Sequence, residues 1–184
     1  GFDTTGIDLS YNTIVTARSK ETANLQFYQH DLRQPFWINY FDVALTIFNS
    51  FGYYRTNREH DAAVRSISQS INDNGFVVFD YVNCHYAEDH LVHSSDKTIE
   101  GYNFYTTSWM DETHFYNKIE VEHDSFTEPH IYTEQLAKFS LGDFTDMLSY
   151  QGLQVNGVFG NYDLDSYDRK HSPRMIITAT KITT

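Results

Sequence analysis

Three short strand-like runs, each closed by a polar residue, constrain this chain more than any other feature. The first is closed by Asp8, the second, at 25–30, by Asp31, and the third, at 41–48, by Asn49. Residues 41–47 are almost wholly apolar, which predicts a strand buried on both faces. Helical patterns stand between such runs. Ser10 is placed to cap a helix over about 11–23, and Thr56 and Glu59 have capping-box spacing ahead of apolar positions at Ala62, Ala63, Val64, Ile67 and Ile71. Asn74-Gly75 then predicts a stop and a turn into a strand at 76–79. Strand, helix and strand at this spacing predict parallel pairing through right-handed crossovers. Open sheets of that kind bind ligands at the carboxyl ends of their strands. Asp8, Asp31 and Asn49 therefore fall where a site is expected.

The pattern changes after Asn83. Residues 84–95 are polar and predict a short helix or a mobile lid. Three runs, 102–109, 114–121 and 130–137, predict antiparallel strands, with a turn at 110–113. Ser140 and Asp143 again have capping-box spacing, and a helix is expected to run to Tyr150 and stop near Gly152. Strands are expected at 153–160 and 174–181. The loop at 163–173 is too short for a helical crossover, so these two strands should pair antiparallel. The expected organisation is one α/β domain over 1–184, with an antiparallel β insertion at 100–139.

Four segments carry a family likeness. They are Gly6-Ile7-Asp8-Leu9-Ser10, His30-Asp31-Leu32-Arg33, the stretch from Phe41-Asp42-Val43 to Asn49-Ser50-Phe51-Gly52-Tyr53, and the run from Gly75 to Asp80. In this order and spacing they resemble class I S-adenosylmethionine-dependent methyltransferases over about the first half of the chain. The resemblance implies a Rossmann-like sheet with an antiparallel carboxyl-terminal hairpin, and S-adenosylmethionine as cofactor. It implies a cofactor-binding set of Asp8, Leu9, Ser10, Asp31, Leu32, Phe48 and Asn49. The Asp8 carboxylate would meet the ribose hydroxyls, Asp31 the adenine amino group, and the Leu32 N–H a ring nitrogen. Phe48 and Asn49 would lie beside the methionine part. Arg174 resembles a position in small-molecule members, without a role that follows from the sequence.

That family opens with a strand and a glycine-rich turn ahead of the segment at which this chain begins, and no Gly-x-Gly occurs among the nine glycines. The expectation is a sheet lacking its first strand, in a piece inactive alone. The gap would fall between the strand ending at Asp8 and the one ending at Phe48. Either another segment or a second copy of the chain fills it, giving a homo-oligomer, or the first two strands detach.

The formal charge of −12 argues against nucleic acid as partner, since phosphate binding needs a Lys/Arg surface, and against anionic membranes. A small-molecule acceptor fits better, and the 14 Tyr and 14 Phe suggest an aromatic-lined interior or cleft. A single cysteine, Cys84, offers neither an internal disulfide nor a zinc pair, so a cytoplasmic setting is expected. Methyl transfer is an in-line displacement that needs a general base only when the acceptor must lose a proton. No catalytic residue is therefore assigned. Tyr53, Tyr54, His85 and Tyr102 fall near the expected cleft, although packing roles suit each of them. His85, His90 and His93 have no metal-ligand spacing, and no metal is expected. The run from Glu120 to Asp124 reads as a solvated strand face. Two rivals remain from the sequence. One is a nicotinamide-dependent oxidoreductase, since an Asp at a strand end also binds that ribose. The other is a non-catalytic interaction module on the same fold.

Overall fold

The computed structural model describes residues 1–182. Its elements are β1 (Thr4–Asp8), α1 (Tyr11–Arg18), β2 (Leu25–Gln29), β3 (Phe41–Thr46), α2 (Asn57–Ser70), β4 (Ile71–Val82) and α3 (Cys84–Asp89). There follow β5 (Ser94–Ile99), β6 (Tyr102–Met110), β7 (His114–Glu122), β8 (His130–Ala137), α4 (Leu141–Tyr150), β9 (Leu153–Phe159) and β10 (Arg174–Lys181).

Both expected capping boxes form. The Thr56 hydroxyl accepts the Glu59 N–H while the Glu59 carboxylate accepts the Thr56 N–H, and Ser140 and Asp143 repeat the exchange at α4. Each box satisfies two helix-end donors that would otherwise lack partners. The helices so started bury one stripe each, with Ala63, Val64 and Ile67 from α2 and Phe144 and Leu148 from α4. These stripes pack on one face of a four-stranded sheet in the order β3-β4-β10-β9. That face presents Val77, Phe79 and Tyr81 of β4 and Met175, Ile177 and Ala179 of β10. β3 runs parallel to β4, and β10 antiparallel to both β4 and β9. The carboxyl-terminal hairpin is thus antiparallel, as its short connection requires.

β1 and β2 form a separate parallel pair. Among the described residues, β1 and β3 do not pair, so the first strand and the third each keep one open edge. The segment after β2 ties the pair to α2. Asn39 and Tyr40 N–H groups donate to Gln69 and Ser70 carbonyls at 2.8 and 2.9 Å, and the Ser66 hydroxyl donates to the Gln34 carbonyl at 2.6 Å. The remaining strands make an antiparallel meander, β5-β6-β7-β8.

Several expectations need correction. α1 stops at Arg18 rather than near Ala23, because Ser19 caps it and Thr22 turns back to bridge Leu25. Ile71 opens β4 instead of closing α2. Asn74, at φ +61°, and Gly75 form an irregularity inside that strand. A Cβ at Gly75 would lie 2.9 Å from the Asn72 carbonyl oxygen and 3.0 Å from that of Asp42, which is why the site takes glycine. β5 was not legible, since all six of its residues are exposed and no alternation marks it. Glu100 and Gly101, both at positive φ, make its tight turn to β6. Finally, β3 is not buried on both faces. Thr46 is buried and Ala44 packs on the core, whereas Val43, Leu45 and Ile47 are exposed, Leu45 by 60%. In the paired rows, Val43 stands beside Phe76 and Leu45 beside Val78, so the uncovered apolar surface continues onto β4.

One buried polar group makes the core sensitive to acid. His60 is 2% exposed, packs edge-on against Phe51 and Phe139, and places Nδ1 3.0 Å from the Thr56 carbonyl, while its Nε2 has no partner among the described residues. Burial lowers its pKa below the ordinary value of 6.5. The unfolded chain therefore takes up a proton below about pH 6.5 that the folded chain resists, and stability falls on acidification through that window. His60→Phe should flatten the dependence of the urea midpoint on pH between 7.5 and 5.5. The Thr56 carbonyl would keep the Glu59 and His60 N–H groups as donors. A pH slope that the substitution leaves unchanged would exclude His60 as its source.

Candidate cofactor site

Asp8 closes β1, and its carbonyl accepts the His30 N–H at 2.9 Å just beyond β2. Its carboxylate is oriented by its own turn, since Oδ1 accepts the Ser10 N–H at 2.7 Å. Oδ2 has no hydrogen-bond partner among the described residues. Ser10 then caps α1 by accepting the Thr13 N–H at 3.3 Å, and Leu9 between them stands 62% exposed. One carboxylate oxygen is thus spent on geometry and the other has no partner among the described residues.

Asp31 is differently employed. Both its oxygens are taken by Arg33, with Nε 3.0 Å from Oδ1 and Nη2 2.7 Å from Oδ2, and Oδ1 also accepts the Arg33 N–H at 3.0 Å. The Arg33 hydrogen bonds hold the Asp31 carboxyl below its ordinary pKa. Arg33 reaches on to Glu59 at the start of α2 and lies 5.5 Å from the centre of the Tyr54 ring. Burial, reinforced by the Asp31 charge, pushes the Tyr54 hydroxyl up to about 12. Leu32 packs partly against the core, and its N–H has no protein acceptor among the described residues. The Arg33 fork has a topological consequence. It brings the carboxyl end of β2 against the amino end of α2, which follows the carboxyl end of β3. The ends of both parallel pairs therefore open on one side of the molecule.

At the end of β3, Phe48 and Asn49 occupy the left-handed region at φ +55° and +58°, and Phe48 is 74% exposed. Asp80, 3% exposed near the end of β4, holds them. Its Oδ2 accepts the Phe48 N–H at 2.8 Å and its carbonyl accepts the Asn49 N–H at 3.2 Å. Arg174 pairs with the Asp80 carboxylate and donates through Nη2 to the Asn49 side chain at 3.0 Å. Sequence reasoning passed over Asp80 as a site residue and left Arg174 without a role. The signal present was an acidic residue ending an otherwise apolar strand at 76–79.

The β5–β8 sheet is anchored beside this turn. The Ala137 N–H donates to the Gly52 carbonyl at 2.9 Å, and Lys138 pairs with Glu88 of α3 at 2.8 Å. Tyr53 lies at the same junction, where burial and the Glu134 charge raise its pKa. Tyr102 does not come to the junction. It stacks on His123 at 4.0 Å at the far end of the sheet, nine residues along β7 from the anchored His114, or roughly 30 Å at strand rise. His85, His90 and His93 do not converge: His90 stacks on Tyr86 and His93 faces the Ser108 carbonyl. Among the described residues no group of three His, Cys, Asp or Glu side chains could hold a metal. No described helix is long and apolar enough to cross a membrane.

The described architecture matches solved structures closely. An S-adenosylmethionine-dependent methyltransferase from Clostridium acetobutylicum superposes over 98% of this chain and 76% of its own, with a TM-score of 0.82 at 12% identity. The fold is that of the class I S-adenosylmethionine-dependent methyltransferases. CalS10 from Micromonospora echinaspora, an amino pentose methyltransferase solved with S-adenosylmethionine bound, covers 96% of this chain and 73% of its own, with a TM-score of 0.69 at 16% identity. In sequence, "Putative methyltransferase YqeM" of Bacillus subtilis (strain 168) is 25% identical across 98% of this chain and 76% of its own length. No family model matches the chain.

Proposed function

We propose that this chain binds S-adenosylmethionine at the carboxyl ends of its parallel strands and transfers a methyl group to a small-molecule acceptor. The observation that carries the reading is the Asp8 carboxylate, turned by the Ser10 N–H and with Oδ2 unpartnered, at the strand end where this fold binds nucleosides. A free carboxylate oxygen there suits a ribose diol. The unpartnered Leu32 N–H suits an adenine ring nitrogen. Asp31 fits less well, because Arg33 occupies both its oxygens, and its part is to set the loop that presents Leu32. Leu9, Ser10, Phe48 and Asn49 complete the set as the walls.

When bound, S-adenosylmethionine supplies an electrophilic methyl carbon on a sulfonium. The chain's own contribution is to hold the acceptor in line and to exclude water, which can supply most of the acceleration of such a displacement. Phe48, Tyr53 and Tyr54 provide apolar surface at the mouth, and the anchored end of the β5–β8 sheet covers it. The net charge of −12 and the likeness to an amino pentose methyltransferase favour a small acceptor over a nucleic acid. Tyr53→Ala should raise the acceptor KM severalfold and leave the cofactor Kd unchanged, read by steady-state kinetics and calorimetry. Loss of both together would place Tyr53 in folding instead. Calorimetric titration with S-adenosylhomocysteine and with NAD tests the reading itself. Binding of the first alone, weaker than micromolar for residues 1–184, is expected, and binding of NAD alone would overturn it.

The open edges of β1 and β3 bear on behaviour as well. Unpaired strand edges beside exposed Val43, Leu45 and Phe76 recruit further backbone. Residues 1–184 by themselves are expected to bind S-adenosylmethionine weakly. They should either associate in sedimentation velocity or release residues 1–30 early in limited proteolysis. A protease-resistant monomer with micromolar cofactor affinity would contradict this.

A further inference from the structure

We infer that Asp80 and Arg174 are positioning residues, whose joint task is to hold Phe48 and Asn49 in the left-handed turn that forms one wall of the proposed site. The inference rests on the cofactor reading for its consequence and on geometry alone for its premise. Two consecutive non-glycine residues at positive φ are strained, and such strain persists only where the surroundings over-determine it. Here they do. Asp80 receives the Phe48 N–H on Oδ2 and the Asn49 N–H on its carbonyl, so both strained residues are tied to one residue of β4. Oδ2 also accepts the Tyr162 hydroxyl at 2.9 Å. Oδ1 accepts from Arg174 Nε at 2.8 Å. The guanidinium then spans to the Asn49 Oδ1, fixing that side chain as well as its backbone. Asp80 is almost fully buried, so the carboxylate is satisfied by these partners and by little else.

The consequence is directional. The core face of β4 carries Val77, Phe79 and Tyr81, and Asp80 points the other way, toward the turn. The turn throws the Phe48 ring outward, and a fully relaxed turn would withdraw it. Lysine cannot replace the arginine, since only a planar fork reaches both Asp80 and Asn49.

The test compares wild type, Asp80→Ala and Arg174→Lys in the full chain by two readouts. Amide exchange should speed at Phe48 in Asp80→Ala, which removes its acceptor, and at Asn49 in both variants, with Val77 and Phe79 still protected. Affinity for S-adenosylhomocysteine should fall about tenfold or more, as release of one or two strained residues implies. Speeding throughout β4 would mark a general structural role and overturn the inference. So would unchanged exchange at Phe48 in Asp80→Ala or at Asn49 in Arg174→Lys, or unchanged affinity in variants whose turn has loosened. If the wild type binds no S-adenosylhomocysteine, the cofactor reading fails, and the exchange comparison still decides the positioning role. If Asp80→Ala does not fold, Arg174→Lys carries both readouts, because it leaves the Phe48 N–H and Tyr162 bonds to Asp80 in place.

Discussion

Asp8→Ala is expected to weaken binding of S-adenosylhomocysteine to the protein by about 1.5–3 kcal/mol, which is about 10- to 150-fold, the usual cost of deleting a charged acceptor. The effect should be confined to binding. Asp8 is only partly buried, and among the described residues the one bond of its carboxylate closes a two-residue turn to Ser10. Ser10 keeps its own cap on α1 without it. Calorimetry gives the affinity and a urea midpoint gives the stability, and the account expects a large change in the first with a small one in the second. Asp31→Ala should do the reverse. Removing that carboxylate frees Arg33 and loosens the tie to Glu59 and α2, while taking no free oxygen from the ligand. An unchanged affinity in Asp8→Ala would remove that residue from the site.

Gly52→Ala is expected to destabilise the fold by about 2–4 kcal/mol, the sum of overpacking and of holding a side chain at a disfavoured dihedral. Gly52 sits at φ +101°, and an added Cβ would drive into the Tyr81 hydroxyl and lie 2.8 Å from Leu136 Cδ1. Tyr81 cannot yield cheaply. Tyr81 is 1% exposed and donates its hydroxyl hydrogen to the Ala137 carbonyl, while Ala137 donates its N–H to Gly52. Three residues from the β3–α2 turn, β4 and β8 thus close one joint, and it ties the β5–β8 sheet to the β3–α2 turn. A drop in the urea midpoint with an unchanged slope is the expected signature. A variant as stable as wild type would show that the joint has slack and that the sheet is held elsewhere.

The parallel core and its caps were readable because each depends on local chemistry. Thr56 with Glu59 and Ser140 with Asp143 specify helix starts within four residues, and the length of the 163–173 loop forces the pairing of β9 with β10. β5 was hidden for the opposite reason. Its residues stay exposed, so no burial pattern is imposed on Ser94–Ile99, and only the Glu100-Gly101 turn betrays it. The apolar run at β3 suggested burial on two faces because composition records what a strand can bury, whereas exposure depends on what covers it. The candidate site divides in the same way. Asp8, Leu32, Phe48 and Asn49 are proposed from strand ends and family likeness. The engagement of Asp31 by Arg33 and the joining of Asp80 to Arg174 are not. They depend on side-chain reach, and in the second case on contacts across 94 residues of chain.

The most direct test is a structure of the protein with S-adenosylhomocysteine. The account predicts the ribose hydroxyls on the Asp8 carboxylate, the adenine against the Leu32 N–H, and the homocysteine part beside Phe48 and Asn49. Adenosine bound away from Asp8, or a nucleotide seated with Asp8 still facing solvent, would contradict it.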